Sequence, residues 1–577
     1  GDASVNHSTA LGALNAAGWV SHQNLKLPLL FVCEDNGLGI SVRTPPGWIT
    51  ERVRALPHIR PFLARGWDLN ETWRVAQEAV EYCRTLRQPA LLHIPCVRLL
   101  GHAGSDVDTS YRSQQEIDEA CDRDPVLCHA LALLATGRVA REQLLAQHDA
   151  AQARVRAAQE LARSSPTLSS RTQVMAALTG VTRSRVAASL VSTPAPKAGA
   201  NAESSRRELL SPEEKLTLAQ GLNRGLADLL QQHPQALLFG EDVAKKGGVY
   251  GVTKGLFERF GALRVFNTLL DEQTILGLAL GSSLAGLLPV AEIQYLAYLH
   301  NAEDQLRGEA STLRFFSNAE YDNPLILRVA GLAYQKGFGG HFHNDNSLAV
   351  LRDLPGVVVA IPARSDDALA LLRSCRQLAL EQGRVCVLVE PIALYHRRGL
   401  LQEEDGLWLA ADDGRTAEFG RARVYHETAP DLTILTYGNG LALSLAAAQR
   451  LRAQNIGARV LDLRWLAPLP EQDILEHAAK TGRVLVVDEC RHSGNVSEQI
   501  AATLLDAGYQ GAFRRVTGAD SFIPLGEAAR HVLVSEDEIV EAARSLAALT
   551  APDPLASWAK QLPPQIGKLW RSLRKAL

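Results

Sequence analysis

No Cys-x-x-Cys pair occurs in this chain: its eight cysteines, at positions 33, 83, 96, 121, 128, 375, 386 and 490, stand singly. That argues against a zinc cluster and against a disulfide framework, and the expectation is a reducing, cytoplasmic compartment. Charge of one sign is not in excess either. A formal net charge of −3 with 21% charged residues leaves no basic footprint for nucleic acid and no acidic tail. Long apolar runs are missing: the longest uncharged stretch, 273–291, is broken by Gly277, Gly281, Gly286 and Pro289 before Glu292. It reads as a buried helix followed by a strand, and no membrane association is expected. The sequence opens on Gly1 rather than on Met, and no signal peptide is expected ahead of it. Gly1-Asp2 reads as a turn that should follow a strand, so the expectation is a fragment lacking the first part of its first domain.

What is present is length and order. A chain of 577 residues is too long for one core and suggests about three or four domains. Its first 41 residues organise the rest. Gly1-Asp2-Ala3-Ser4 is followed by helical apolar spacing at Leu11, Leu14, Ala17 and Gly18, then by Leu27 to Cys33, which predicts a buried parallel strand ending in Glu34-Asp35-Asn36-Gly37. Two strand-end turns of one α/β sheet face the same crevice, and the first opens a helix whose free N–H groups suit a phosphate. An Asp on one turn and an Asn on the other can share a hard cation, so Asp2 and Asn36 fit a magnesium diphosphate site. Taken singly, each also reads as an ordinary turn residue.

Together the two turns resemble the thiamine-diphosphate motif, Gly-Asp-Gly followed some thirty residues on by Asn-Asn, most closely that of the decarboxylase component of 2-oxoacid dehydrogenase complexes. The resemblance implies Asp2, the Asn36 side-chain oxygen and the Leu38 carbonyl on magnesium, with Gly1 and the Ala3 and Ser4 amides at the diphosphate of thiamine diphosphate. Ala3 replaces the motif's second glycine and Asp35 its first asparagine. Asn36 lies 34 residues beyond Asp2, a longer gap than usual, with the surplus expected in the polar turn Ser21-His22-Gln23-Asn24.

Residues 67–86 predict an amphipathic helix and Pro89 to Ile94 the next buried strand. The polar loop after it, Arg98 to Asp106 with Ser110-Tyr111-Arg112 and Asp124-Pro125, carries His102 between small residues. A satisfied loop histidine and a ligand-reaching one are both open readings. The segment resembles the ordered loop of the decarboxylase alpha subunit, which implies that His102 contacts diphosphate and helps receive the lipoyl group. Ala103 stands where some relatives carry a regulatory phosphorylated serine, which argues against that control. Residues 126–163 read as a charged helix pair, and 164–207 as a Ser/Thr/Ala/Pro/Gly linker. Separate alpha and beta chains of relatives would be joined there, so the expectation is a fused form.

Beyond the linker the resemblance is to the beta subunit. Leu237 to Val243 predicts a strand delivering Glu241 and Asp242 to its end, Gly247 to Tyr250 a bend, and Glu272 the entry of an apolar helix from Ile275 to Leu284. An acid there also serves as an N-terminal helix charge. The resemblance implies that Glu272 bonds the aminopyrimidine ring nitrogen, that Glu241 is an active-site or neighbouring acid, and that Tyr298 stacks on the pyrimidine; core packing is the other reading of Tyr298. In the loop Gly337 to Ser347, flexible glycines, paired histidines and amides suit a site handling anions and protons. Pro355 follows His343 by 12 residues, as in the family, so the proton-transfer role falls on His343, and His341 is extra.

Strand-helix alternation over 418–547 resembles the C-terminal domain shared with transketolases, used mainly in dimer packing. The expected architecture is therefore α/β, with doubly wound parallel sheets in a thiamine-diphosphate fold. The domains are 1–163 (diphosphate and magnesium), 164–207 (linker), 208–400 (pyrimidine), 418–547 (transketolase-like) and 548–577 (tail). The implied activity is oxidative decarboxylation of a 2-oxo acid, pyruvate or branched-chain, with acyl transfer to lipoyl-lysine of a dihydrolipoyl acyltransferase. Catalysis falls to Glu272, His343 and His102 in a homodimer whose site lies at a domain interface. Two alternatives are a transketolase-like or acetoin-cleaving thiamine enzyme and a non-catalytic assembly subunit. Retained Asp2, Asn36, Glu272 and His343 weigh against the latter.

Overall fold

The computed structural model describes residues 2–178, 214–335 and 342–549, with Asp2 described by its backbone alone. Gly1, His341, the greater part of the expected linker and the tail from residue 550 lie outside the described residues. The chain divides into two compact units, Gly1–Ser170 and Arg171–Leu577.

The first unit is built on three parallel strands, with Ala90–Pro95 between Leu30–Asp35 and Arg60–Leu63. A short helix Asp2–Val5 precedes the helix Ser8–His22, whose first turn is capped by the His7 imidazole accepting from the Thr9 N–H at 3.2 Å. Helical spacing then puts Leu14, Ala17 and Gly18 on one buried face, against Cys33, Ile49, Val53 and Leu91. A methyl group on Gly18 would meet the Pro57 carbonyl oxygen at 2.7 Å, so the helix approaches that chain only through glycine. The helix Leu69–Leu86 starts where Asp68 accepts from the Glu71 N–H at 3.1 Å, and buries Val75, Ala79 and Cys83.

One expectation fails here. The strand begins at Leu30 rather than Leu27 and is not buried through its length: among the described residues it pairs on one side only, and Val32 is 53% exposed. An unbroken apolar run predicts two covered faces, but this one belongs to a sheet edge.

In the second unit a seven-stranded sheet runs Trp465–Ala467, Val358–Ala360, Val385–Pro391, Leu325–Gly331, Leu288–Ile293, Ala236–Gly240, Val265–Asn267. All neighbours are parallel except the first pair. A five-stranded sheet follows, Arg423–Tyr425, Ala458–Asp462, Leu432–Thr436, Arg483–Arg491, Ala512–Gly518, antiparallel only at its first pair. Parallel strands need crossover helices, and Ser365–Gln382 and Asn439–Arg452 supply them, while Leu218–Gln232, ahead of the first strand, packs on Ser365–Gln382; all three have mostly buried Leu and Ala faces. Central strands such as Leu325–Gly331 are buried at every position, as a sheet covered on both faces requires.

Part of the expected linker is folded. Residues 171–178 include the helix Arg171–Met175, and the carbonyls of Ala177 and Leu178 each accept at 2.6 Å from Arg314 and Arg384. Small polar residues read as spacer, but fixed guanidinium donors give this stretch a seat.

Candidate active site

In the first unit the Asn36 turn is closed by its own side chains. The Asn36 Oδ1 accepts the Leu38 N–H at 3.0 Å, and the Asp35 Oδ1 accepts the Gly37 N–H at 3.0 Å. The other Asp35 oxygen lies 2.8 Å from Nε2 of buried His93 on the neighbouring strand. Asp35 is thus an anchor for the turn, and the Asn36 carbonyl oxygen keeps a second lone pair. A short strand, Leu38–Gly39, continues from the turn, and a carbon added to Gly39 would sit 3.4 Å from the Ala3 side chain. The Asp2–Val5 helix and the strand Leu38–Gly39 are therefore neighbours.

His102 lies in the loop after Ala90–Pro95, at the carboxyl end of that strand. Its backbone N–H donates to Asp106 Oδ2 at 2.7 Å, and the same oxygen accepts from the Tyr111 hydroxyl at 2.6 Å. The Tyr111 hydrogen bond, with the His102 amide, holds the Asp106 carboxyl below the usual carboxylate range. Arg98 donates to Tyr111 and also to the Ile40 carbonyl at 2.7 Å, joining this loop to the turn that carries Asn36 and Leu38. A side chain on Gly101 would collide with the Asp106 carbonyl oxygen at 2.5 Å, so the bend that presents exposed His102 needs glycine.

In the second unit three acids gather at strand ends. Glu241 follows Ala236–Gly240 directly, Glu292 lies across from Gly240 in register on Leu288–Ile293, and Glu272 is the first residue of the helix Glu272–Leu284. Gly240 makes the approach possible: at φ 155° its added Cβ would meet the Glu292 carbonyl oxygen at 2.5 Å. Burial first, then the charges of Glu272, Asp242 and Glu292, push the Glu241 carboxyl up to about 7. Glu272 is half-buried, and its Oε2 accepts from the Asn301 side-chain amide at 2.9 Å. The preceding Asp271 makes no side-chain cap. Nearby, the Thr268 hydroxyl is buried with no partner among the described residues.

His343 and Tyr298 meet around Tyr295. The His343 ring stands edge-on to Tyr295 at 4.5 Å between centroids, and Tyr298 packs edge-on to the same ring at 5.7 Å. Tyr295 is fixed from behind, where the Tyr250 hydroxyl donates to it at 3.3 Å and itself accepts from Gln335 at 2.8 Å. Beneath the acids, Arg328 is wholly buried between Glu292 and Glu390, bonding Glu390 at 2.7 and 2.8 Å, and the Tyr395 hydroxyl adds a bond to Glu390 at 2.7 Å. Sequence reading missed Tyr250, Tyr295, Arg328 and Glu390. An arginine inside the apolar run Leu325–Gly331 was the available signal, since a buried guanidinium demands acid partners.

An acid cluster beside a half-buried aromatic and an unpaired hydroxyl fits an aminopyrimidine, which needs a carboxyl at its ring nitrogen and a flat apolar face. The second unit therefore fits the pyrimidine end of thiamine diphosphate.

Glu241 carries a pH prediction. Its folded value near 7 exceeds the ordinary 4.5, so the folded state holds a proton that the unfolded chain releases, and the contribution of Glu241 to stability is lost as pH rises from about 4.5 through 7. Glu241→Gln is expected to gain on wild type by at most about 3 kcal/mol between pH 4.5 and 8. Urea unfolding at both pH values measures the difference, and a pH-independent gap would place Glu241 in an ordinary solvated setting.

Comparison with known proteins follows this division. The chain matches the Dehydrogenase E1 component family model over residues 1–171, the Transketolase pyrimidine binding domain over 214–397 and the Transketolase C-terminal domain over 420–539. These define a transketolase-like α/β enzyme. More narrowly, the chain belongs to the thiamine-diphosphate-dependent E1 components of the 2-oxoacid dehydrogenases, a family of oxidoreductases. It is 32% identical to the pyruvate dehydrogenase E1 component subunit beta of Staphylococcus epidermidis over 57% of this chain and 98% of that protein. It is 31% identical to the 2-oxoisovalerate dehydrogenase subunit beta of Bacillus subtilis over 58% of this chain and 98% of that one. A solved chain described as a split gene transketolase, inactive beta4 tetramer, aligns at 22% identity with a TM-score of 0.46, over 58% of this chain and 99% of its own. Among the described residues no helix is long and apolar enough to cross a membrane.

Proposed function

We propose that this protein decarboxylates a 2-oxo acid of the pyruvate or branched-chain type and passes the acyl group to lipoyl-lysine of a dihydrolipoyl acyltransferase. The observation that carries the reading is the Glu241–Glu272–Glu292 acid cluster beside Tyr298 and His343, in a chain whose relatives are pyruvate and 2-oxoisovalerate dehydrogenase subunits. Bound thiamine diphosphate supplies the carbon nucleophile and the electron sink for loss of carbon dioxide. Glu272 holds and returns a proton at the pyrimidine ring nitrogen, and Asn301 aims its carboxylate. Tyr298 covers the ring face. Glu241, whose carboxyl burial pushes up to about 7, adds a second acid without a second full negative charge at neutral pH. His343 and His102 serve the proton transfers of acyl transfer. Asp2, the Asn36 side chain and the Leu38 carbonyl hold magnesium, and the Ala3 and Ser4 amides hold the diphosphate. One chain carries both alpha-like and beta-like parts in this reading, arranged as domains 1–163, 208–400 and 418–547. The assembly is a homodimer with its active site at a domain interface. Eight free cysteines agree with a cytoplasmic setting.

Titrating the protein with thiamine diphosphate, with and without magnesium, and assaying 2-oxo-acid-dependent dye reduction tests the reading. Magnesium-dependent binding with turnover of pyruvate or a branched-chain 2-oxo acid is expected, and binding without turnover of any 2-oxo acid would overturn it. Asp2→Ala is expected to abolish magnesium-dependent binding, because it removes the one carboxylate assigned to the ion. Unchanged affinity in calorimetry would remove Asp2 from the site.

A further inference from the structure

Glu272 and His343 lie 71 residues apart in sequence and on separate elements, yet two consecutive residues reach toward both. The turn His300–Ala302 follows the short helix Leu296–Leu299 that carries Tyr298. From it, the Asn301 side-chain amide donates to Glu272 Oε2 at 2.9 Å, while the Asn301 carbonyl accepts from Gln273 at 3.0 Å, so the turn is fastened to the first turn of the Glu272 helix at two points. From the adjacent position, His300 Nε2 lies 3.0 Å from Asp345 Oδ2.

Asp345, two residues beyond His343, organises the start of the following segment. Its second oxygen accepts from the Ser347 N–H and hydroxyl at 3.0 and 2.6 Å, and its carbonyl accepts the Leu332 N–H at 2.9 Å. The side chain of Asp345 is 9% exposed and that of His300 35%, so the pair is shielded well enough to matter and open enough to titrate.

We propose that His300–Asn301 is a positioning element of the site, with Asn301 orienting the Glu272 carboxylate and His300, through Asp345, fixing the segment that carries His343. The roles of Glu272 and His343 rest on the function proposed above; the positioning contacts do not. The hydrogen bond to Asp345 raises the His300 pKa, burial opposes it, and the charges of Asp345 and Glu303 assist while Arg491 opposes. Arg491 also donates to the Ser347 hydroxyl at 2.8 Å, closing the cluster from the other side. The His300–Asp345 ion pair is complete below the raised His300 pKa and is lost as pH rises through it.

The test uses the full chain and two independent readouts. Hydrogen exchange of peptides covering Leu332 and 342–350, corrected for intrinsic rates, is compared between wild type, His300→Ala and His300→Gln without added cofactor. At pH 6, His300→Ala is expected to speed exchange at Leu332 and Ser347 at least tenfold, with His300→Gln recovering part of the protection, and wild-type protection is expected to fall as pH rises through the His300 titration. Exchange within twofold of wild type, or a gain spread equally over the strand Ala512–Gly518, would overturn the His300 arm. Asn301→Ala is expected to lower kcat about tenfold with KM and thiamine diphosphate affinity within twofold, and to speed hydrogen exchange in the peptide covering 272–276 at least threefold, because the turn loses its side-chain bond to the entry of the Glu272 helix. Unchanged kcat, or exchange at 272–276 within twofold of wild type, would overturn the Asn301 arm. Wild type inactive on every 2-oxo acid would count against the proposed function, while exchange would still decide both arms.

Discussion

Arg328→Met is expected to destabilise the second unit by about 3–5 kcal/mol, because it leaves two buried carboxylates facing each other without a cation. Glu390 is fully buried, and Glu292 is 8% exposed. Burial already raises the Glu292 carboxyl with Arg328 present, so the variant would escape only by protonating its acids. Its deficit is therefore expected to shrink toward pH 4 and to widen at pH 8. Replacing the set together, Arg328→Met with Glu390→Gln and Glu292→Gln, is expected to restore most of the loss, since removing both signs avoids the uncompensated charge. Urea unfolding of the single and combined variants measures this, and a cost below about 1 kcal/mol for Arg328→Met would mean the ion network is incidental. Glu292 lies opposite Gly240, the residue before Glu241, so the same network sets the floor of the acid cluster.

Elements with one clean period were legible in the sequence. The helix expected over 67–86 is Leu69–Leu86, shortened where Asp68 caps it, and the apolar helix after Glu272 runs to Leu284 as expected. The turn after the first strand was legible as well, because turn chemistry is local: Asp35 and Asn36 each close a turn with the N–H two residues ahead. What escaped was set by pairing across distance. The apolar run from Leu27 gave no sign that its strand lies at a sheet edge with Val32 outward. His300 and Asp345, 45 residues apart, carry no shared period, and Arg328 finds Glu292 and Glu390 only through the register of three parallel strands. Residues 171–178 looked like spacer because the guanidiniums that seat them are more than 130 residues away.

Glu272→Gln is expected to keep the fold and most of the affinity for thiamine diphosphate while losing activity by two orders of magnitude or more. The amide is nearly isosteric. Its oxygen can accept from the Asn301 side chain at the 2.9 Å site that the carboxylate uses now, so the helix entry and its contacts survive. An amide cannot exchange a proton with a ring nitrogen, and no other described acid stands in the same place: Glu241 is buried at the end of the strand Ala236–Gly240 rather than at the helix entry. Two readouts separate the catalytic role from the structural one. Fluorescence titration gives cofactor affinity, and quenched-flow NMR gives deuterium exchange at the reactive carbon of the bound cofactor. Exchange within about twofold of wild type with affinity intact would reduce Glu272 to a charge at a helix N-terminus, whose worth is below about 1 kcal/mol. Loss of exchange with affinity intact would fix Glu272 as the group that moves the proton, and would make Asn301, its donor, the next residue to change.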